Sequence, residues 1–346
     1  MNKKIVTSFV FLLAIIITFS ATSEEKFNIT QIDSLRKEIN NKKGFDKIST
    51  QLDLALQVME NDKNDAQVLA KSALFAAKIA NKKDMEMRAY FLLGKISEVL
   101  NNKDLSEAYY DTALTITEAS GDNWSKGEIL FRKGVIKQNR SEEIKALEYF
   151  NASLQACRLS NNFKTMGSSY SMMGTIFRVN GLYDRAIEYV VNSKLYYEKA
   201  GSQEGKAWAA YLLGRIYADL KLSRKALEYF QEALKIYTKM ASIDGNKDGE
   251  AICYSQIGIL YLETGKFNDA HKYIDYTLKI YTDTKSKYGL SNAYKNLGII
   301  DYTLGTYMPS EKYLMESLRI KKEVGDLLGV PSVYEYIENN RLYRGR

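Results

Sequence analysis

The sequence has only two prolines, two cysteines and one histidine among its 346 residues. Proline removes a backbone donor and clashes with the preceding helical turn, so its scarcity favours nearly continuous helix. Pro309 and Pro331 fall where the periodic pattern described below puts a first helical turn, whose N–H groups have no intrahelical partner to lose. Catalytic groups are scarce as well. His271 has no evident partner in the sequence and reads as a surface or packing residue, and there is no phosphate loop, zinc-ligand spacing or nucleophile elbow. Adjacent carboxylates such as Glu142 and Glu143 suit a solvated helix face. The chain is therefore expected to be no enzyme and to need neither cofactor nor metal. The pattern puts four helices between Cys157 and Cys253, and neighbouring helix axes lie about 8–10 Å apart. That exceeds the roughly 7 Å Cα separation a disulfide can bridge, so two free, buried thiols are expected.

Charge of one sign is not concentrated anywhere. There are 49 basic and 42 acidic residues, a net charge of +7. No basic stripe or groove-reading motif stands out, and nucleic acid is not an expected partner. There is one long apolar run, Ile5 to Phe19, preceded by Lys3 and Lys4 and followed by Ala21, Thr22 and Ser23. Small residues at those positions fit a cleaved secretory leader, residues 1–23, cut between Ser23 and Glu24. An uncleaved anchor is the alternative, but the run is shorter than the roughly 20 residues a span needs. No cysteine follows for lipid attachment, and no later stretch is apolar enough to span a membrane. The expected protein is exported, periplasmic or secreted, without a membrane span once the leader is lost; its charge is then +5, from 47 basic and 42 acidic residues.

Periodicity is what the chain has in abundance. Residues 207–237, AWAAYLLGRIYADLKLSRKALEYFQEALKIY, read as two apolar-patterned helices around a polar break at Lys221 to Ser223. Glycine recurs at Gly94, Gly134, Gly174, Gly214, Gly258 and Gly298, at intervals of 40, 40, 40, 44 and 40. A mid-helix glycine costs about 1 kcal/mol against alanine, so a periodic one implies close approach of a second helix. Twelve residues after each stands a small residue (Ser106, Ala146, Ala186, Ala226, Ala270, Ser310). Sixteen after each stands a mostly bulky one (Tyr110, Phe150, Val190, Phe230, Ile274, Leu314). Gly181, Gly265 and Gly305 sit at the break between helices, where glycine ends a helix well. Phe27 to Asn40 reads as a polar capping helix within residues 24–47. In the next unit, Ile48 to Glu60 and the Ala66, Ala70, Ala73 stripe supply two helices, with Leu54 in the glycine's place.

This order of Leu-Gly, aromatic and small residues resembles the tetratricopeptide repeat in a longer version of about forty residues. The resemblance implies an all-α, right-handed α-solenoid of antiparallel helix pairs over residues 48–346: a degenerate repeat (48–86), six regular repeats (87–330) and a half-repeat or cap (331–346). It also implies a non-enzymatic scaffold that binds a peptide or partner helix in a concave groove lined by first helices. The groove residues it points to are Phe91, Lys95, Phe131, Arg178, Trp208, Tyr211, Arg215 and Lys295. Aromatic and cationic side chains together suit extended peptides, although aromatics at these spacings also stack neighbouring repeats. The family's carboxylate clamp wants asparagine after the glycine. Here Lys95, Val135, Thr175, Arg215, Ile259 and Ile299 stand there, so chaperone tails are not expected ligands. An alternative is the sensory input module of an envelope signalling system. Asp244 to Gly249 matches the first half of a calcium loop, but Ser255 replaces the bidentate glutamate, which favours a plain turn.

Overall fold

The computed structural model describes residues 29–59 and 61–344; the leader and its cleavage site lie outside the described residues. Among the described residues the chain is all-α, without a strand. A short helix, α1 (Ile29–Asn41), precedes α2 (Gly44–Val58) and α3 (Lys63–Ile79). The regular repeats follow as α4 (Lys83–Val99) with α5 (Lys103–Ser120), α6 (Asn123–Asn139) with α7 (Glu143–Ser160), and α8 (Phe163–Val179) with α9 (Tyr183–Lys199). Next come α10 (Gln203–Asp219) with α11 (Ser223–Asp244), α12 (Asp248–Glu263) with α13 (Phe267–Asp283), α14 (Lys287–Thr303) with α15 (Tyr307–Glu323), and then α16 (Val330–Arg344).

The chain divides into two compact units, one of residues 29–180 with 192–202 and one of residues 181–191 with 203–344. Within the first, each helix from α1 to α8 packs on the next, and α2 touches α4 as α6 touches α8. Within the second, α10 to α16 do the same, with α10 on α12, α12 on α14 and α14 on α16. Each unit is thus an α-solenoid in which every helix is buried by its near neighbours.

Helix starts are set by side chains that accept orphan amides. Asp62, Asn102, Asp122, Asn162 and Ser286 cap α3, α5, α6, α8 and α14 in this way. Helix ends are set by backbone conformation. Asn101, Ser141, Gly181, Lys221, Gly265 and Gly305, each seven residues past a periodic glycine, all have φ between +57° and +76°. The junctions to the next pair repeat this at Gly121, Asn161, Gly201, Gly245, Lys285 and Gly325, with φ between +55° and +74°. The turn then closes in the Schellman manner, as where Leu222 N donates to Tyr217 O at 2.9 Å. Lysine in the left-handed region is strained, whereas glycine is at ease there. Exposed Lys285→Gly is accordingly expected to stabilise the chain by about 0.5–1 kcal/mol, read as a rise in the urea midpoint; a fall would show that the strain is offset by contacts of the lysine itself.

The core repeats one contact. A Cβ built on Gly94, Gly134, Gly214, Gly258 or Gly298 would come within 2.4–2.6 Å of Tyr110, Phe150, Phe230, Ile274 or Leu314 respectively, the bulky residue sixteen positions on. The six small residues at the twelfth position are all fully buried. Where that residue is serine, its hydroxyl donates to the glycine carbonyl: Ser106 Oγ to Gly94 O at 2.9 Å, and Ser310 Oγ to Gly298 O at 2.6 Å. Removing the Cβ therefore lets two backbones meet and lets a buried polar side chain find its acceptor.

The 44-residue interval is absorbed by helix. Helix α11 has 22 residues where α13 and α15 have 17, and it ends at Gly245 with φ +73°. Helix α12 begins three residues later, and the Asn246 side chain accepts from Asp248 N at 3.1 Å. The candidate calcium loop is thus a helix end, a tight turn and a helix start. Cys157 and Cys253 are buried free thiols, and burial pushes the Cys157 thiol up to about 11. At the C-terminal end, α16 seats Val333 and Ile337 on Leu314 and Leu318 and sends Asn340 Nδ2 to Ser310 Oγ at 2.7 Å.

Candidate functional site

In the first unit, Phe91, Lys95 and Glu98 lie on one face of α4 at spacings of four and three, and Glu128, Phe131 and Arg132 share a face of α6. Packing of the two repeats brings the Arg132 guanidinium to 3.7 Å from the Glu98 carboxylate. Glu98 also accepts from the Tyr110 hydroxyl of α5. Burial opposes the charge on Arg132, but Glu98, Tyr110 and Glu128 outweigh it and hold the guanidinium firmly protonated. Burial pushes the Glu128 carboxyl above the usual range, against the pull of Arg132, Lys95, Asn162 and Lys164. Phe91 and Phe131 flank this network half-buried, each leaning on a core ring: Tyr110 at 5.7 Å and Phe150 at 5.8 Å. The Arg132 head lies 5.9 Å from the Phe131 ring centre.

The structure thus joins Phe91, Lys95 and Phe131 in one patch. Arg178, on α8, is only 5% exposed and presents almost no surface. Glu98, Glu128 and Arg132 had not been singled out from the sequence. They stand four after, six before and two before a periodic glycine, and it is their alternating charge across two repeats that marks them.

In the second unit, Trp208 stacks on Tyr211 with ring centres 5.2 Å apart, and Tyr211 leans on Phe230 at 5.9 Å. Trp208 is 7% and Tyr211 1% exposed, so both rings work chiefly as packing, with Arg215 half-buried one turn beyond. Lys295 is two repeats further on, half-buried on α14. Burial and the neighbouring Lys321 ammonium push its amine down to about 8, against the pull of Asp326. His271, for which the sequence showed no partner, has Nδ1 2.8 Å from the Asp275 carboxylate one turn along α13.

A cleft of about 610 Å³ in the first unit is lined by Lys78, Lys83, Glu86, Tyr90 and Asp111 among others. Its charges are largely spent on each other and on the wall: Lys83 pairs with Glu86 at 3.0 Å, Lys133 with Asp111, and Lys78 covers the Tyr90 ring at 5.2 Å.

Stacked helix hairpins with a glycine-to-bulky contact in five of six regular pairs define an α-solenoid built from a forty-residue repeat. Family models described as tetratricopeptide repeat match residues 88–120 and 165–239, so the chain carries tetratricopeptide repeats there. No curated relative matches it in sequence. Among solved structures it is similar to the apo form of the quorum sensor NprR from B. thuringiensis, with 15% identity and a TM-score of 0.68, over 92% of this chain and 86% of that one. A Rap protein complexed with Competence and Sporulation Factor shows 13% identity and a TM-score of 0.60, over 98% of each chain. Aspartyl phosphate phosphatase F from Bacillus subtilis shows 14% identity and a TM-score of 0.56, over 98% of this chain and 93% of that one. At these identities the likeness is one of fold.

Proposed function

We propose that the chain is a non-enzymatic scaffold that binds a peptide or partner helix along the faces of its first helices, outside the cytoplasm after loss of residues 1–23. The observation that carries this reading is the patch on α4 and α6. Half-buried Phe91 and Phe131 offer apolar anchors, and partly desolvated Lys95, Glu98, Glu128 and Arg132 offer charge-assisted hydrogen bonds beside them. Arg215 and Lys295 are half-buried in the second unit. Arg178, Trp208 and Tyr211 are buried within their own units and offer a ligand little surface. Likeness to a Rap protein complexed with Competence and Sporulation Factor favours a peptide as the ligand. Likeness to a quorum sensor favours the second reading, a sensory input module that reports a bound ligand to a separate partner.

A random-peptide display selection on the purified protein tests the site, with counter-selection on Lys95→Gln/Phe131→Ala. An enriched motif whose affinity falls at least about tenfold in the variant, with helicity preserved, is the expected result. No enriched motif, or one the variant binds equally well, would remove the site. N-terminal sequencing of the envelope fraction checks the location, with Glu24 expected first.

A further inference from the structure

In the second unit the buried charge of Lys321 is met within the fold: its side chain is 1% exposed, and its ammonium lies 3.0 Å from Asn292 Oδ1 and 2.6 Å from Asp326 Oδ2. What the first unit leaves to solvent is apolar, and it lies on α3. That helix fully buries its small residues Ala66, Ala70, Ala73 and Ala77, yet turns three large ones outward: Val68 is 66%, Phe75 69% and Ile79 72% exposed. At 100° per residue the three fall within about 40° of one another, on a ridge about 16 Å long. Large apolar side chains in a row, unlike ones scattered singly, mark an interaction site. The repeat itself does not call for them. At the place of Val68 the regular repeats carry Ala108, Glu148, Glu188, Glu228, Lys272 and Lys312. At the place of Phe75 their only apolar residue is Leu195, and at that of Ile79 only Ala119 and Leu159. Charge here is one-sided as well. Residues 63–83 hold Lys63, Lys71, Lys78, Lys82 and Lys83 against a single acid, Asp65, which is paired with Arg36 of α1. Lys83 pairs with Glu86; exposed Lys71 and Lys78 border the ridge, about 40–60° round the helix from Phe75.

We propose that the α3 ridge docks the protein on the surface of an anionic phospholipid bilayer. This role is separate from the peptide-binding patch on α4 and α6 and does not depend on it. No helix among the described residues is long and apolar enough to cross a membrane, so α3 lies in the interface instead of spanning it. Val68, Phe75 and Ile79 enter the acyl boundary, while the flexible stems of Lys71 and Lys78 carry their ammonium groups to the level of the phosphates. An acidic partner helix would meet the same charges, but a helix docks in a groove, which needs walls as well as a floor. None of the three ridge side chains lines the cleft described above, and a bilayer asks only for a protrusion. A short apolar insertion or a few lysines alone hold a protein weakly, whereas the two together hold it reversibly, with a strength that falls as salt rises.

The test is flotation of the chain from Glu24 to Arg346, freed of the apolar run Ile5 to Phe19 that would itself enter lipid. Vesicles of phosphatidylcholine alone are compared with vesicles containing about 30% phosphatidylglycerol, at about 0.1 M salt. Partitioning should be at least about tenfold stronger on the anionic vesicles. Phe75→Glu/Ile79→Glu should lower it at least about tenfold, with helicity and urea midpoint unchanged because both side chains are exposed. Lys71→Gln/Lys78→Gln should lower it several-fold and flatten its salt dependence. Lys95→Gln/Phe131→Ala, which alters the peptide-binding patch, should float like the parent. Absence of flotation, equal flotation of the Phe75→Glu/Ile79→Glu variant, or no preference for the anionic vesicles would each overturn the proposal. Capture of an acidic amphipathic peptide in place of vesicles, lost in that same variant, would overturn it too and give the ridge to a protein partner.

Discussion

Gly214→Val should destabilise the second unit by about 3 kcal/mol, seen as a lower urea midpoint with unchanged helicity in buffer. A Cβ at this position would stand 2.5 Å from one Phe230 ring atom and 2.6 Å from another. The ring has little room to retreat, because Phe230 is fully buried and Tyr211 packs against it at 5.9 Å. Helix propensity works the other way, since glycine is the poorer helix former by up to about 1 kcal/mol. The expected loss is therefore overpacking less that gain. Phe230→Ala alone should cost about 3–5 kcal/mol, because it empties the space the glycine was chosen to admit. Combined, the two changes should cost clearly less than their sum, by about 1–2 kcal/mol. Strict additivity would mean that the two positions do not share one contact. Unfolding of a stacked array need not be all-or-none, so the comparison is best made with probes local to α10 and α11.

Lys321→Met is the other large effect, expected to cost about 3–5 kcal/mol. The substitution fits the buried methylene stem but leaves Asp326, whose side chain is 13% exposed, with the Gly329 amide in place of a cation. Breaking one side of a desolvated pair strands the other charge; removing both sides need not. Lys321→Met/Asp326→Leu should therefore recover to within about 1 kcal/mol of the parent. Because Asp326 lies just ahead of α16, amide exchange in residues 330–344 should quicken first in the single variant. A double variant no more stable than the single one would show that the lysine acts through packing alone.

How much of this could be read from the sequence depended on the range of the interactions. The glycine-to-bulky contact is legible because both partners belong to one hairpin and recur at a constant separation of sixteen. Helix ends at Gly181, Gly265 and Gly305 were legible for a related reason: glycine announces the conformation it permits. The same conformation at Ser141, Lys221 and Lys285 was not, since nothing in those side chains favours it. The Glu98–Arg132 contact was hidden because it joins different repeats and depends on how one hairpin is set upon the next. Trp208 and Tyr211 illustrate a true ambiguity. Aromatic residues on a first helix serve packing or recognition with the same spacing, and only the area left uncovered distinguishes the two uses.

The left-handed stops have a consequence for how such a chain can change length. They fall at residues 101, 121, 141, 161, 181, 201 and 221, and again at 245, 265, 285, 305 and 325. Every second stop is equivalent, so an unequal crossover between gene segments forty codons apart would join a helix stop to a helix start in phase, losing or duplicating one hairpin without a scar. A crossover spanning residues 221–245 would carry the four-residue excess with it. That extra turn, about 6 Å of helix, is a marker by which the duplication history of this array could be traced.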